Sequence, residues 1–233
     1  MNNKIKQQTA KKFEIGFSDF CDDNVIEFER LDDSGSEFQR GNFLIDINGE
    51  SPDFWCRKDN QEMFVEVKTL VNITNDKRER QMNKAIESGR KEGKSYFPIC
   101  APFNLIPELM GPLESSLKKA SSQFKNIKEE FDFPRILLLS NVLGINSNAL
   151  AIFLGYPFYI SKQKMSLGTY FEVGKNFQYI DKLERGLFDK TGSNVSAVVF
   201  WNKEAQCFNG IANPLAKIKF SESSFSLFFG VKT

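Results

Sequence analysis

The sequence contains no histidine. That absence removes Ser-His-Asp and Cys-His hydrolases, HNH-type nucleases and every His-ligated zinc or haem site. Cysteine is sparse: Cys21, Cys56, Cys100 and Cys207 stand far apart, with no Cys-x-x-Cys pair. A zinc ribbon is excluded and no disulfide framework is indicated. Scattered cysteines fit a reducing cytoplasm, where they act as small buried hydrophobes. Long apolar runs are missing too. Ile136–Leu139 and Leu150–Leu154 are far too short to span a bilayer, and Met1–Lys12 is polar, without the apolar stretch of a secretory signal. A cytoplasmic protein with no membrane partner is expected. Neither charge sign dominates: 31 Lys plus Arg stand against 30 Asp plus Glu, a net charge of +1. The global balance does not advertise a nucleic-acid binder, although it leaves room for a local basic patch. No internal repeat or low-complexity linker is visible.

What is present is ordinary for a globular chain. At 233 residues the length predicts one large domain or two small ones, with enough apolar surface for one continuous core. The 24 phenylalanines read as core filler rather than as a stacking surface, and Trp55 and Trp201 read the same way.

Periodicity supplies the elements. Lys4–Phe20 carries Ile5, Phe13, Phe17 and Phe20 in a helical pattern. Val25–Leu31 alternates as a half-buried strand, followed by turn chemistry at Asp32–Gly35. Phe43–Ile47 reads as a second strand or irregular edge, closed by the hairpin signal Asn48-Gly49. Asp53–Cys56 and Met63–Leu70 read as two antiparallel strands joined by a polar turn at Lys58-Asp59-Asn60. Asp76–Lys94 is helical and basic, with seven positive and four negative side chains. Pro98, Pro102, Pro107 and Pro112 break the next stretch into loop and short turns. Leu113–Phe131 bears an amphipathic stripe, and Pro134 ends it. Arg135–Ser140 reads as a buried strand, and Ala149–Leu154 as either strand or helix. Val195–Trp201 and Cys207–Ile211 form a late hairpin around Asn202-Lys203-Glu204. Strands and helices alternate, which predicts an α/β fold with a mixed sheet.

One stretch carries chemistry: Ser51-Pro52-Asp53-Phe54-Trp55-Cys56, then Glu62-Met63-Phe64-Val65-Glu66-Val67-Lys68-Thr69. Side chains alternate along a strand, so Glu66 and Lys68 share one face while Val65 and Val67 take the other. A hairpin would bring Asp53 beside Glu66. Two carboxylates converging at a strand end make a hard-oxygen site suited to Mg²⁺ or Mn²⁺, with the Val67 carbonyl as a further ligand. Lys68 beside it would orient water and offset charge on a phosphate. Such hydrolysis needs no histidine. A plainer reading makes Glu66 and Lys68 a same-face ion pair of little worth, and Asp53 a turn residue after Pro52. Phe64 and Leu70 flank the pair on the same face, however, and imply partial burial, where an unpaired charge is costly.

At these residues the sequence resembles the PD-(D/E)XK nuclease superfamily, the restriction-endonuclease-like fold. The motif here is Pro52-Asp53, twelve intervening residues, then Glu66-Val67-Lys68. The resemblance covers residues 10–140. It implies a mixed central β-sheet flanked by helices, in a single nuclease-like domain over 1–233 whose residues 141–233 extend the sheet or form a subdomain. It implies a glutamate on a preceding helix, best matched by Glu14, and a following helix with Lys or Gln, matched by Lys119 and Gln123 before Ile136–Leu139. The implied activity is Mg²⁺-dependent hydrolysis of phosphodiester bonds, with DNA as the expected substrate, in restriction, anti-phage defence or repair. Asp53 and Glu66 would bind the metal, Lys68 would position water, and Lys119 or Gln123 would assist. Arg78, Arg80 and Lys84 in the basic segment would contact the nucleic-acid backbone. A near-neutral chain lacks a strong sequence-independent grip on DNA, so a homodimer or a partner protein would supply it. Two rivals stand beside this reading. One is a catalytically inactive nucleic-acid- or protein-binding module on the same fold. The other is an unrelated α/β interaction protein in which Pro52–Lys68 is accidental.

Overall fold

The computed structural model of the protein describes residues 3–33, 35–70, 83–84, 86–93, 105–140, 154, 186–191, 193–202, 207–220, 225 and 229–232. The chain opens with helix α1 (Asn3–Asp23), followed by strand β1 (Glu27–Arg30), helix α2 (Glu37–Phe43) and strands β2 (Phe54–Lys58) and β3 (Gln61–Thr69). Helix α3 (Leu105–Lys125) and strand β4 (Arg135–Ser140) come next, then helix α4 (Gly186–Thr191) and strands β5 (Ala197–Asn202), β6 (Cys207–Ala212) and β7 (Val231–Lys232). The strands form one seven-stranded sheet in sequence order. β1, β2 and β3 are antiparallel neighbours, β4 and β5 continue parallel to β3, β6 returns antiparallel, and β7 runs parallel to β6. The expected α/β class with a mixed sheet is therefore present.

Alternation along the strands divides two cores. Phe64, Leu137, Leu139, Val198 and Phe200 face Leu113, Leu117, Ala120 and Phe124 of α3. Val65, Val67, Ile136, Leu138, Ala197 and Val199 face Phe17 and Cys21 of α1, together with Phe220, Phe225 and Phe229. All six residues of β4 are buried, as a strand covered on both faces must be. Each fully buried leucine there stabilises the fold by about 2 kcal/mol. Phenylalanine fills both cores, through pairs such as Phe17 on Phe54, edge to face at 5.1 Å. Trp55 is buried as expected.

Several expectations are corrected. Phe43–Ile47 is not a strand: α2 ends at Phe43, and Leu44 makes one isolated bridge to Ile127. The reason is long-range. Lys128 Nζ donates to the Gly41 and Asn42 carbonyls at the end of α2, and Lys128 N–H donates to the Phe43 carbonyl. Asn48-Gly49 turns this loop back rather than joining two strands, with Gly49 N–H donating to the Asp46 carbonyl. Pro107 and Pro112 do not break α3, which begins eight residues before the expected Leu113. Pro107 lies in the first turn, where an N–H has no intrahelical acceptor and its loss costs little. The helix stops at Lys125, where Asn126 and Ile127 N–H donate three residues back to Gln123 and Phe124. Cys21 and Cys56 are buried free thiols, but Cys207 is exposed. The basic segment and Ala149–Leu154 fall mostly outside the described residues, apart from helical turns at 83–84 and 86–91 and a buried Leu154. Among the described residues no helix is long and apolar enough to cross a membrane.

The β2–β3 connection is a two-residue turn in which Asp59 and Asn60 both take left-handed backbone angles, φ 50° and 61°. That is the primed geometry matched to strand twist. Asn60→Gly is expected to stabilise the protein by about 0.5–1 kcal/mol, and Asn60→Val to destabilise it by about 1–2 kcal/mol. Urea denaturation checks both; unchanged midpoints would contradict the turn assignment.

Candidate active site

The β2–β3 register builds the site. Phe54 stands opposite Val65, so one step further the register sets Asp53 opposite Glu66. The chain before Asp53 is anchored by its own backbone: Leu31 N–H donates to the Asp53 carbonyl at 2.9 Å. The Asp53 carboxylate is fixed in turn, because Oδ2 accepts the Val67 N–H at 2.6 Å. Asp53 is 8% exposed and Glu66 is fully buried at 0%. Lys68, on the same face as Glu66, donates through Nζ to Glu66 Oε1 and to the Val67 carbonyl at 3.3 Å. The second carboxylate oxygen, Glu66 Oε2, is buried with no hydrogen-bond donor among the described residues. Leaving such an acceptor unsatisfied costs about 1–3 kcal/mol or more.

The electrostatics follow from burial. Asp53 is pushed up to about 6, first by desolvation; Lys68 and the Val67 N–H pull it back, while the charges of Asp32 and Glu14 push it further up. Lys68 is lowered from the ordinary lysine value, again first by desolvation. Asp53 opposes that shift, the like charge of Lys119 reinforces it, and Glu14 and Glu50 oppose it. Acid and amine are thus both driven towards their neutral forms.

The other expected residues are distributed as follows. Gln123 on α3 is buried at the site: Nε2 donates to the Ser51 carbonyl at 2.8 Å, and Oε1 has no donor among the described residues. Lys119, one turn earlier, is exposed and close enough to Lys68 for their charges to interact. Glu14 reaches the site as a charge, but its Oε2 accepts from Arg30 at 3.1 Å. Arg30 also binds Asp32 at 2.9 Å and lies over the Phe54 ring. Those contacts raise the guanidinium still further above its ordinary value, Asp32 contributing most. Lys84 is exposed on the helical turn 83–84, and Arg78 and Arg80 lie outside the described residues.

Sequence reasoning did not find Arg30 or the clip at the end of α3. Asn126 donates to the Asp46 and Glu50 carbonyls at 2.8 and 3.0 Å, and its Oδ1 accepts the Asp46 N–H at 2.9 Å. These partners are 76 to 80 residues away, and no local signal announces them.

Among the described residues no group of three or more Cys, Asp or Glu side chains is assembled that could hold a metal. The chain offers two carboxylates and a carbonyl. That donor set fits Mg²⁺, which commonly takes one or two carboxylates and keeps water elsewhere. The orphaned Glu66 Oε2 is the structural feature that fits a cation there. Compared with family models, curated proteins and solved structures, the chain matches none of the three.

The raised Asp53 value has a stability consequence with a definite sign. A carboxyl whose folded-state value lies above its unfolded one favours folding when protonated, and that contribution is lost as pH rises through about 6. The rise from the ordinary carboxyl value of 3.8 to about 6 corresponds to an unfavourable contribution of about 3 kcal/mol above that pH. Asp53→Asn is expected to melt at higher temperature than the wild type at mildly alkaline pH, with the difference shrinking as pH falls through about 6. Thermal melts across that range check it; a pH-independent difference would argue against the shift.

Proposed function

We propose that the protein is a metal-dependent nuclease of PD-(D/E)XK type, hydrolysing phosphodiester bonds, with DNA as the substrate. The observation that carries this reading is the pairing of two buried carboxylates, Asp53 and Glu66, across one hairpin, with a Glu66 oxygen left without a donor among the described residues and Lys68 on the same face. Further support comes from the order of elements: a helix bearing Glu14, the hairpin, α3 bearing Lys119 and Gln123, then the buried β4. The near-neutral net charge fits a chain whose grip on DNA is completed by a second copy or a partner protein. Cys21 and Cys56, free and adjacent inside the second core, suit a reducing cytoplasm.

In this reading Asp53, Glu66 and the Val67 carbonyl hold Mg²⁺ or Mn²⁺. The bound ion would supply charge stabilisation at a phosphate oxygen and lower the pKa of water. The remaining work falls to the chain. The Val67 N–H keeps the Asp53 carboxylate oriented. Lys68, released from Glu66 once that carboxylate is engaged, offers its ammonium to a phosphate oxygen or to the attacking water. Gln123 is fixed through Nε2 and presents Oε1 as a hydrogen-bond acceptor that orients the water. Lys119, exposed beside Lys68, contacts a phosphate. The water oxygen bonds to phosphorus as its proton passes to solvent, the bond to the departing sugar oxygen breaks, and that oxygen takes a proton from solvent.

A second reading is favoured by one contact: Lys68 already neutralises Glu66 Oε1, as a catalytically inactive binding module on this fold would require. Assays on plasmid, linear duplex and single strands with Mg²⁺ or Mn²⁺ separate the two. Cleavage is expected to fall by about a hundredfold or more in Asp53→Ala and in Lys68→Ala, and to stop with chelator. Absence of cleavage, together with an absence of metal binding in calorimetry, would favour the inactive module.

A further inference from the structure

A side-chain cluster beside the candidate site is organised around a cation that the chain supplies itself. Arg30 ends β1 and stands opposite Phe54 in the sheet, next to Asp53 in the chain. Its guanidinium lies over the Phe54 ring, with Cζ 5.4 Å from the centroid. From there it holds three acids. Nη2 donates to Glu14 Oε2 at 3.1 Å and to Asp32 Oδ2 at 2.9 Å. Nε donates to Asp32 Oδ1 at 3.2 Å and pairs with Asp33 Oδ2 at 3.5 Å. The contact with Asp32 is bidentate, and a planar guanidinium stacked on an aromatic face gives that fork a fixed direction. The acids come from two places, Glu14 from α1 and the aspartates from the bend after β1.

The cluster borders the site. Leu31, the residue after Arg30, donates its N–H to the Asp53 carbonyl. The charges of Glu14 and Asp32 act on Asp53, and that of Glu14 acts on Lys68 as well. Glu14 is therefore a neighbour of the site in space, and the resemblance drawn from the sequence would make it a metal ligand. Its bonding points elsewhere. Oε2 is engaged by Arg30, and the two side chains keep only 24% and 22% of their surface, so water screens the pair less than an exposed one. Both oxygens of Asp32 are engaged by the same guanidinium. Among the described residues no three acids are gathered in a geometry that could hold a metal, as expected where a guanidinium already spaces them.

We propose that Arg30 withholds Glu14 and Asp32 from the cation site, so that Asp53, Glu66 and the Val67 carbonyl hold the divalent ion without a ligand from α1. This rests on the nuclease reading and makes Arg30 a positioning residue within it. The guanidinium offsets the nearby acids in place, and it lowers the affinity that those acids would otherwise give a divalent ion. The test is Mn²⁺ binding to the full chain without nucleic acid, read from the electron paramagnetic resonance of the free ion. Glu14→Gln is expected to stay within about threefold of the wild-type affinity, because the charge it removes is already paired. Arg30→Met, which removes the cation and frees both acids, is expected to tighten binding by about tenfold. Adding Glu14→Gln to Arg30→Met should cancel most of that gain, and Arg30→Lys, which keeps the charge, should stay near wild type. An Arg30 that served only the fold would not tighten metal binding when removed. Weakening by about tenfold or more in Glu14→Gln makes Glu14 a ligand and overturns the proposal. Unchanged or weaker binding in a folded Arg30→Met also overturns it. Should Arg30→Met not fold, judged by its melting curve, Glu14→Gln decides alone. In each of these failures, Mn²⁺ binding that is lost in Asp53→Ala leaves the nuclease reading standing. A wild type that binds no Mn²⁺ overturns both.

Discussion

The site depends on a single constraint: a carboxylate must sit inside the sheet because the strand that carries it is covered on both sides. β3 gives Val65 and Val67 to one core and Phe64 to the other. Glu66 must then share the face of Phe64, and it does so with no exposed surface. Register removes any escape, since β3 is pinned antiparallel to β2 from Gln61 to Val65 and parallel to β4 from Phe64 to Thr69. A slip by one residue would send both valines to the wrong core. The hydrophobic alternation thus holds the acid in place. The acid cannot relax outward, so its environment must adapt through Lys68 and through an oxygen left open.

The same logic governs Asp53. Its register position comes from the hairpin, but its approach is set by a scaffold outside the strands. The end of α3 reaches the incoming chain through three side chains: Gln123 to Ser51, Asn126 to Asp46 and Glu50, and Lys128 to Gly41 and Asn42. Gly49 is part of this closeness, because a Cβ there would lie 2.9 Å from Asn126 Nδ2. The helix that packs the first core is therefore also the clamp on the loop that delivers the second carboxylate.

How far the sequence foretold this varies with the range of the forces involved. The hairpin was legible, since alternation, polar turn residues and the Pro52 start are local signals. So were β4, with its unbroken apolar run, and the stripe on α3. The sharing of one face by Glu66 and Lys68 followed from the period of a strand alone. Phe43–Ile47 misled because its apolar alternation is real, while the contacts that end α2 there come from Lys128, 86 and 87 residues away. Pro107 misled because its position in the first turn of a helix matters more than its presence. Arg30 was read as one residue of an alternating strand. Its role comes from holding α1, through Glu14, to the turn at Asp32, and strand periodicity carries no trace of such a contact.

The charge balance is best understood locally. A net charge of +1 hides opposite charges that act together on the candidate site. Glu14, Asp32 and Asp33 gather around Arg30, and Glu14 and Asp32 raise the negative potential at Asp53, while Lys119 adds positive potential at Lys68. In the nuclease reading that we propose, the acidic side draws in the cation and the lysine side meets the phosphate, so two opposite charges are sorted within one hairpin and its neighbours. A chain with so few cations to spare cannot rely on counterion release for its grip.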